Sequence, residues 1–185
     1  MTSLPTVRDS RDDDLPAITA IYGHHVRYGL ASFEEEAPGL DEMAKRRAGY
    51  LAAGYPYVVA EAEGRVLGYA YVSAYRPRPA YRYSVENSIY IDQEARRGGI
   101  GSALLPVLIE RCTALGYRQM IAVIGDSANT ASIGLHAKFG FREIGTIRSI
   151  GFKHGRWVDS VLMQRALGEG DLTLPLSASA AAPPR

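Results

Sequence analysis

The chain has 185 residues, enough for one ordinary domain that buries its own core without disulfides or metals. Hydrophobic residues make up 46% and charged residues 22%, and Lys plus Arg number 21 against 20 Asp plus Glu, for a net charge of +1. That balance excludes disordered and membrane-spanning classes and gives no bulk attraction to nucleic acid or a lipid surface. The single cysteine, Cys112, rules out an internal disulfide; set among apolar residues at helical spacing, it reads as a small buried hydrophobe rather than a reactive thiol. Met1 to Pro5 lack the basic start and apolar run of a signal peptide, and no apolar stretch reaches the length of a membrane span, so a soluble cytoplasmic protein is expected.

Val7 opens a short strand, and Asp12 to Asp14 place negative charge where a helix begins, against its positive end. Leu15, Ile18, Ile21, Tyr22 and Val26 then recur at helical spacing. Pro38-Gly39 breaks the pattern, and Leu40 to Leu51 predicts a second helix that ends before Gly54. Strands over residues 57–62 and 66–74 meet at a turn on Glu63-Gly64, and the two prolines between Arg76 and Arg82 mark a loop. Ser84 to Asp92 carries the next strand. A helix from about Gly99 to Leu115 is closed by Gly116, and Gln119 to Ile124 has the continuous apolar character of a strand buried on both faces. Ala131 to Phe139 predicts a helix closed by Gly140, and strands near residues 141–152 and 157–165 surround a turn at His154-Gly155. From Gly168 the composition shifts to Leu, Ser, Ala and Pro without periodicity. The expected organisation is therefore one domain over residues 1–167 and a loose tail over 168–185.

The order is βααββ, loop, βαβα, ββ. The strand–helix–strand unit in the middle implies parallel pairing there, and the hairpins imply antiparallel pairing elsewhere, which makes a mixed-sheet α/β fold.

The richest stretch is Ser88 to Ser102: the apolar strand Ile89-Tyr90-Ile91, then Arg96-Arg97-Gly98-Gly99-Ile100-Gly101-Ser102 leading into an amphipathic helix. Glycines at a strand-to-helix junction let backbone N–H groups approach a phosphate, and the helix N-terminus adds orphan donors and partial positive charge. Arg96 and Arg97 add attraction or a direct ion pair, so the parts suit a pyrophosphate; a glycine-rich turn with exposed arginines is the competing account. No Lys-Ser or Lys-Thr follows the glycines, so this is not a P-loop, and the spacing Gly98-Gly99-x-Gly101 is not the dinucleotide fingerprint.

Arg96-x-x-Gly99-x-Gly101 at such a junction resembles the acetyl-CoA motif of the GNAT superfamily of N-acetyltransferases. Asn129-Thr130-Ala131-Ser132-Ile133-x-Leu135-His136-x-x-x-Gly140-Phe141 resembles its second half. Ser84-Val85-Glu86-Asn87-Ser88-Ile89-Tyr90-Ile91 and Gly151-Phe152-Lys153-His154-Gly155-Arg156-Trp157 are similar to the phosphinothricin and methionine sulfone or sulfoximine N-acetyltransferases. The resemblance spans roughly residues 7–165. It implies a mostly antiparallel sheet, flanked by helices, whose central parallel pair is splayed by a bulge. It implies acetyl-CoA as co-substrate, its pantetheine arm in the wedge against Ile89, Tyr90 and Ile91. Residues 97–102 would hold the pyrophosphate with Arg96, and Asn129 and Ser132, at the start of the next helix, would bind the cofactor too, Asn129 reaching the pantetheine or its phosphate side. Asn129 also reads as a plain helix cap.

An amino-acid amine is mostly protonated at neutral pH, so acetyl transfer to it needs a base. Glu86, at the start of the central strand, is the candidate, since the resembling enzymes carry a glutamate at the matching place; an ion pair with Arg82 or a neighbour is the structural alternative. His136 stands one helical turn from Ser132 and reads either as a donor to the departing thiolate or as a buried, hydrogen-bonded histidine. Arg76, Arg78 and Arg82, with Tyr81 and Tyr83, precede Glu86 in a loop suited to a substrate carboxylate. Phe33 and Glu34 resemble the family's loop between the first two helices and would close the far side of the pocket. The four histidines show no metal-ligand spacing, and no metal is expected.

The expected activity is direct transfer of acetyl from acetyl-CoA to the amine of a small amino-acid-like substrate. Acetylation of a protein N-terminus or a polyamine and a non-catalytic acyl-CoA sensor are the alternatives. An arginine-rich pocket argues against a polyamine, and Glu86 against a sensor. Ile144, Ile147, Ile150, Phe152, Trp157 and Val161 exceed what one small sheet face covers, and a homodimer is expected.

Overall fold

The computed structural model describes residues 5–95 and 98–175. Within them the chain forms β1 (Thr6–Asp9), α1 (Leu15–Tyr28), α2 (Leu40–Ala52), β2 (Tyr57–Ala62), β3 (Arg65–Ala74) and β4 (Ser84–Ile91). Then come α3 (Ile100–Ala114), β5 (Gln119–Gly125), α4 (Thr130–Lys138), β6 (Arg142–Lys153) and β7 (Arg156–Ala166). Type and order follow the expectation from periodicity, and the arginine loop holds one 3-10 turn, Pro79–Tyr81. The acidic start of α1 works differently from the expectation. Arg8 grips both carboxylate oxygens of Asp14 at 2.8 and 2.9 Å, a two-pronged bond that takes them away from capping α1.

The strands form one sheet in the order β1-β2-β3-β4-β5-β7-β6, in which β4 and β5 are the parallel pair. Both faces of its centre are buried. Along β2 and β3, Val58, Ala60, Ala70 and Val72 pack with Leu104, Leu105, Leu108 and Cys112 of α3. Tyr57, Val59 and Tyr69 pack with Ile18, Tyr22 and Val26 of α1 and Met43 of α2. This two-residue alternation sends successive side chains to different helices. Cys112 is fully buried in the α3 core, where desolvation pushes its thiol up to about 12, far from nucleophilic use.

The sheet forks. β4 pairs with β5 only from Ser84↔Gln119 to Asn87↔Ala122. Beyond that, β4 stays with β3 as far as Ile91↔Gly68, while β5 stays with β7 through Gly125↔Ser160. The register of β4 on β3 runs from Val85 to Ile91 without a shift, so the expected bulge in the central strand is not what opens the pair. Each strand follows its outer neighbour and the two part.

Residues 168–174, expected in the loose tail, turn back along the sheet: Arg118 donates to the Thr173 hydroxyl at 2.9 Å and the Leu174 carbonyl at 3.0 Å. Among the described residues no helix is long and apolar enough to cross a membrane.

Candidate active site

Asp92 N–H donates to the Leu67 carbonyl and Tyr75 N–H to the Ser84 carbonyl. In an antiparallel ladder the bonding residues alternate, so the even positions of β4 bond β3, and Val85, Asn87, Ile89 and Ile91 turn their backbone groups toward β5. After Asn87 that side is the fork. The backbone of Ile89 and the N–H of Ile91 therefore face an open wedge. The Ile91 carbonyl is already engaged by His25 Nε2–H of α1 at 2.8 Å. Tyr90 borders the wedge, but its ring lies on the α1 face, 4.9 Å from Tyr22 and 5.4 Å from Tyr69 between centroids. A cavity of about 60 Å³ sits at the fork, lined among others by Asn87, Ser88, Ile89, Asn129, Ser132 and His136.

Gly98, Gly99, Ile100, Gly101 and Ser102 form the entry to α3 beside this wedge. Gly99, the N-cap, has φ 74° and ψ 8°, a left-handed conformation that glycine adopts without cost. Gly101 is small for another reason than phosphate approach: a Cβ there would stand 2.7 Å from Leu135 Cδ2 of α4. The first N–H groups of α3 are the orphan donors of a helix start. Arg96 and Arg97 lie outside the described residues. Ser102 Oγ takes a bond from Lys138 Nζ at 3.3 Å.

Asn129 caps α4, its Oδ1 accepting from Ser132 N–H at 3.2 Å while its Nδ2 donates to the Gly125 carbonyl at 3.2 Å. His136 is buried on the same helix. Its Nε2 lies 3.0 Å from Asn87 Oδ1 and its Nδ1 2.8 Å from the Ser132 carbonyl. Burial pushes the imidazole below its ordinary value, and the contact with Ser132 pulls part of the way back.

Glu86 stands one residue before Asn87, so its side chain points to the opposite face of the sheet. It shares that face with Ser88, whose side chain meets the Tyr71 hydroxyl, and with Tyr90. The structure therefore places Glu86 and His136 on opposite sides of β4. Burial raises the Glu86 carboxyl above its ordinary value, and the positive charge of Arg76 draws it partly back. Arg76 is thus the loop arginine that Glu86 feels. Arg82 instead donates to the Pro79 carbonyl at 3.1 Å and lies 4.8 Å over the Tyr83 ring, so the alternative pairing of Glu86 with Arg82 is not what forms. Arg78 is exposed, and the Tyr81 ring meets Tyr75 edge-on at 5.7 Å.

The loop between α1 and α2 closes over the ends of β5 and β6. Phe33 lies against Gly151 and Gly125, where a Cβ would stand 2.5 Å and 3.0 Å from its ring. Glu34 turns inward: Tyr22 donates to it at 2.8 Å and Arg46 at 2.7 Å, so its carboxylate ties the loop to α1 and α2. Lys153, only 4% exposed, fastens the same loop by donating to the Ser32 carbonyl at 2.7 Å. Burial lowers its ammonium pKa, against the pull of Glu35 and Glu34. Lys153, Asn87, Tyr71 and His25 were not among the expected site residues. Asn87 had a readable signal, a carboxamide in phase with Val85, Ile89 and Ile91 on a buried strand face; the burial of Lys153 had none.

Residues 7–162 match the family model of the acetyltransferase (GNAT) domain. The phosphinothricin N-acetyltransferase of Alcaligenes faecalis is 59% identical over 170 residues, covering 92% of this chain and 86% of that protein. An L-methionine sulfoximine/L-methionine sulfone acetyltransferase of Pseudomonas paraeruginosa is 42% identical over 163 residues, covering 86% and 92%. The crystal structure of a phosphinothricin acetyltransferase from Sinorhizobium meliloti in complex with AcCoA has a TM-score of 0.92 at 52% identity, over 95% of each chain. The forked sheet, the glycine entry to α3 and these likenesses agree: the chain belongs to the GNAT family of acetyltransferases.

Proposed function

We propose that this enzyme transfers the acetyl group of acetyl-CoA to the amine of a small amino-acid-like substrate of the phosphinothricin and methionine sulfone or sulfoximine class. The observation that carries the proposal is the arrangement of β4. Its odd residues open backbone groups into the wedge, and a half-buried carboxyl, Glu86, stands on the opposite face within the field of Arg76.

Acetyl-CoA supplies the thioester, its arm along Ile89 and Ile91 and its pyrophosphate at Gly98–Ser102 with Arg96 and Arg97. Arg76 attracts the substrate carboxylate, with Arg78, Arg82, Tyr81 and Tyr83 forming the outer wall. Phe33 closes the far side. Glu86 takes one proton from the substrate ammonium. The freed nitrogen lone pair bonds to the acetyl carbonyl carbon, giving a tetrahedral intermediate. The C–S bond breaks with its electron pair on sulfur, and the second nitrogen proton leaves for the thiolate or solvent. A carboxyl raised toward neutrality by burial is a better base for this step than a solvated one. Direct transfer needs no acyl-enzyme, and buried Cys112 offers none. Such an enzyme works in the cytoplasm, where acetyl-CoA is supplied.

The enzyme pairs into a homodimer through the edge of the sheet. Ile144, Ile147, Ile150, Phe152 and Trp157 are exposed on β6 and β7, an apolar patch that supports this; Val161 belongs to the core instead. Sedimentation at micromolar concentration should show a dimer, and a monomer would contradict this pairing.

The activity is tested by thiol release from acetyl-CoA against a panel of amino acids, phosphinothricin, methionine sulfone, peptides and polyamines. Release should need an amino acid or analogue and show intersecting initial-rate lines. Release with peptides or polyamines alone would overturn the substrate class.

A further inference from the structure

We infer that Asn87 and His136 form a positioning brace that sets where β4 and β5 part, rather than a proton-delivery pair; this rests on the wedge being the acetyl-CoA site. Asn87 is the last β4 residue to pair with β5, and it is 6% exposed. Its Nδ2 donates to the Ile121 carbonyl of β5 at 3.0 Å. The opposite amide orientation would set two oxygens against each other, so Oδ1 is the atom that faces His136 Nε2. One carboxamide thus joins both arms of the fork to α4 at the point where backbone pairing stops.

Neither end of this chain of bonds is free to turn. The imidazole is held between Asn87 Oδ1 and the Ser132 carbonyl of its own helix, with Phe141 edge-on at 5.0 Å. As a neutral ring it has one N–H, and as a cation two; in either state a protein oxygen stands ready for each proton. No N–H is left over for a departing thiolate.

The other end of α4 is tied in the same manner, by Asn129 Nδ2 on the carbonyl of Gly125 at the tip of β5. From Asn129 to His136 the helix rises about 10 Å at 1.5 Å per residue. It therefore runs beside β5 from the point where pairing stops to the strand's tip, held at each end by one carboxamide. Of the two ties only the one through Asn87 reaches β4, so that tie sets the gap presented to the pantetheine arm, while Asn129 holds α4 to the tip of β5. Asn87 and His136 act on acetyl-CoA through the strand positions, without needing to touch the reacting atoms.

The test compares Asn87→Ala, His136→Gln and the double variant in steady-state kinetics from pH 6 to 9. Each single change should raise KM for acetyl-CoA about tenfold. The double should be no worse than the larger single, because the two side chains act as one unit. The pH profile of kcat should keep its unmodified shape. A fall in kcat with a lost limb of the pH profile in His136→Gln, beside a normal Asn87→Ala, would overturn the brace and make His136 a proton donor. Should either variant fail to fold, the imidazole nitrogens of His136 in the unmodified enzyme are followed by ¹⁵N NMR as CoA is added. Unchanged signals support the brace; a proton shift on CoA binding overturns it. Calorimetry with acetyl-CoA on the unmodified enzyme separates the two layers. Absence of binding removes the acetyl-CoA site itself, whereas binding with an unaltered KM in Asn87→Ala removes the brace alone.

Discussion

The ring of Phe33 lies so close to the backbone of Gly151 that a methyl group there would stand 2.5 Å from Cε2 and 2.8 Å from Cδ2. Gly151 is thus a seat for the loop between α1 and α2, which the proposed function puts on the substrate side. Gly151→Ala should expel Phe33, at a stability cost of about 1–3 kcal/mol for overpacking. KM for the amino acid should rise roughly tenfold, by loss of about 1.4 kcal/mol of binding, with little change in KM for acetyl-CoA. Phe33→Ala should reproduce the kinetic change without the steric one. Steady-state kinetics on both variants checks this, and equal rises in the two KM values would contradict it.

The entry to α3 makes a separate expectation. A ligand that binds only the folded state stabilises it by about 2.7 kcal/mol at a hundredfold excess over Kd, or about 5–10 °C in Tm for a chain of this size. Thermal unfolding with acetyl-CoA should show that rise. Gly99→Asp places a carboxylate at the proposed pyrophosphate site and should abolish it, while leaving the fold present in far-ultraviolet circular dichroism. An undiminished shift in Gly99→Asp would move the phosphate site elsewhere.

Much of this was legible in the sequence because it is local. The glycines 98, 99 and 101 declare a helix entry, and Asn129 declares a cap; both depend on a few neighbouring residues. β2 was readable as a short apolar run closed by the Glu63-Gly64 turn; which core each residue serves, Tyr57 and Val59 one and Val58 and Ala60 the other, shows only in the fold. What escaped was set by long-range geometry. Beyond Asn87 each strand follows its outer neighbour, β4 with β3 and β5 with β7, and that divergence depends on partners far away in the chain. Gly101 of the glycine motif was legible only in part, because it is required by Leu135, thirty-four positions away, and not only by a ligand. Glu34 suggests a pocket wall in sequence, yet Tyr22 and Arg46 take its carboxylate.

Burial of Glu86 also leaves a mark on stability. Its folded pKa is raised, so the native state holds the proton more tightly than the unfolded chain does. That contribution is complete below the ordinary glutamate value of about 4.3 and is lost as pH rises through the folded pKa. Glu86→Gln keeps the shape and removes the ionisation. The variant should melt above the unmodified enzyme at pH 7–8, and the gap should close as pH falls below about 4.3. Parallel melting curves across that range would mean that Glu86 is not desolvated.

The central claim is that a carboxyl on β4 prepares the amine for attack on the thioester. It is tested most directly by kcat of Glu86→Gln against pH, with acetyl-CoA and an accepted amino acid both saturating. Loss of a general base costs about 10²–10⁴-fold, so kcat at pH 7 should fall within that range while acetyl-CoA affinity is retained. The deficit should shrink toward pH 9, where free amine is abundant. A variant with near-normal kcat at pH 7, a raised KM for the amino acid and an unchanged pH profile would contradict the account and leave Glu86 as a binding residue.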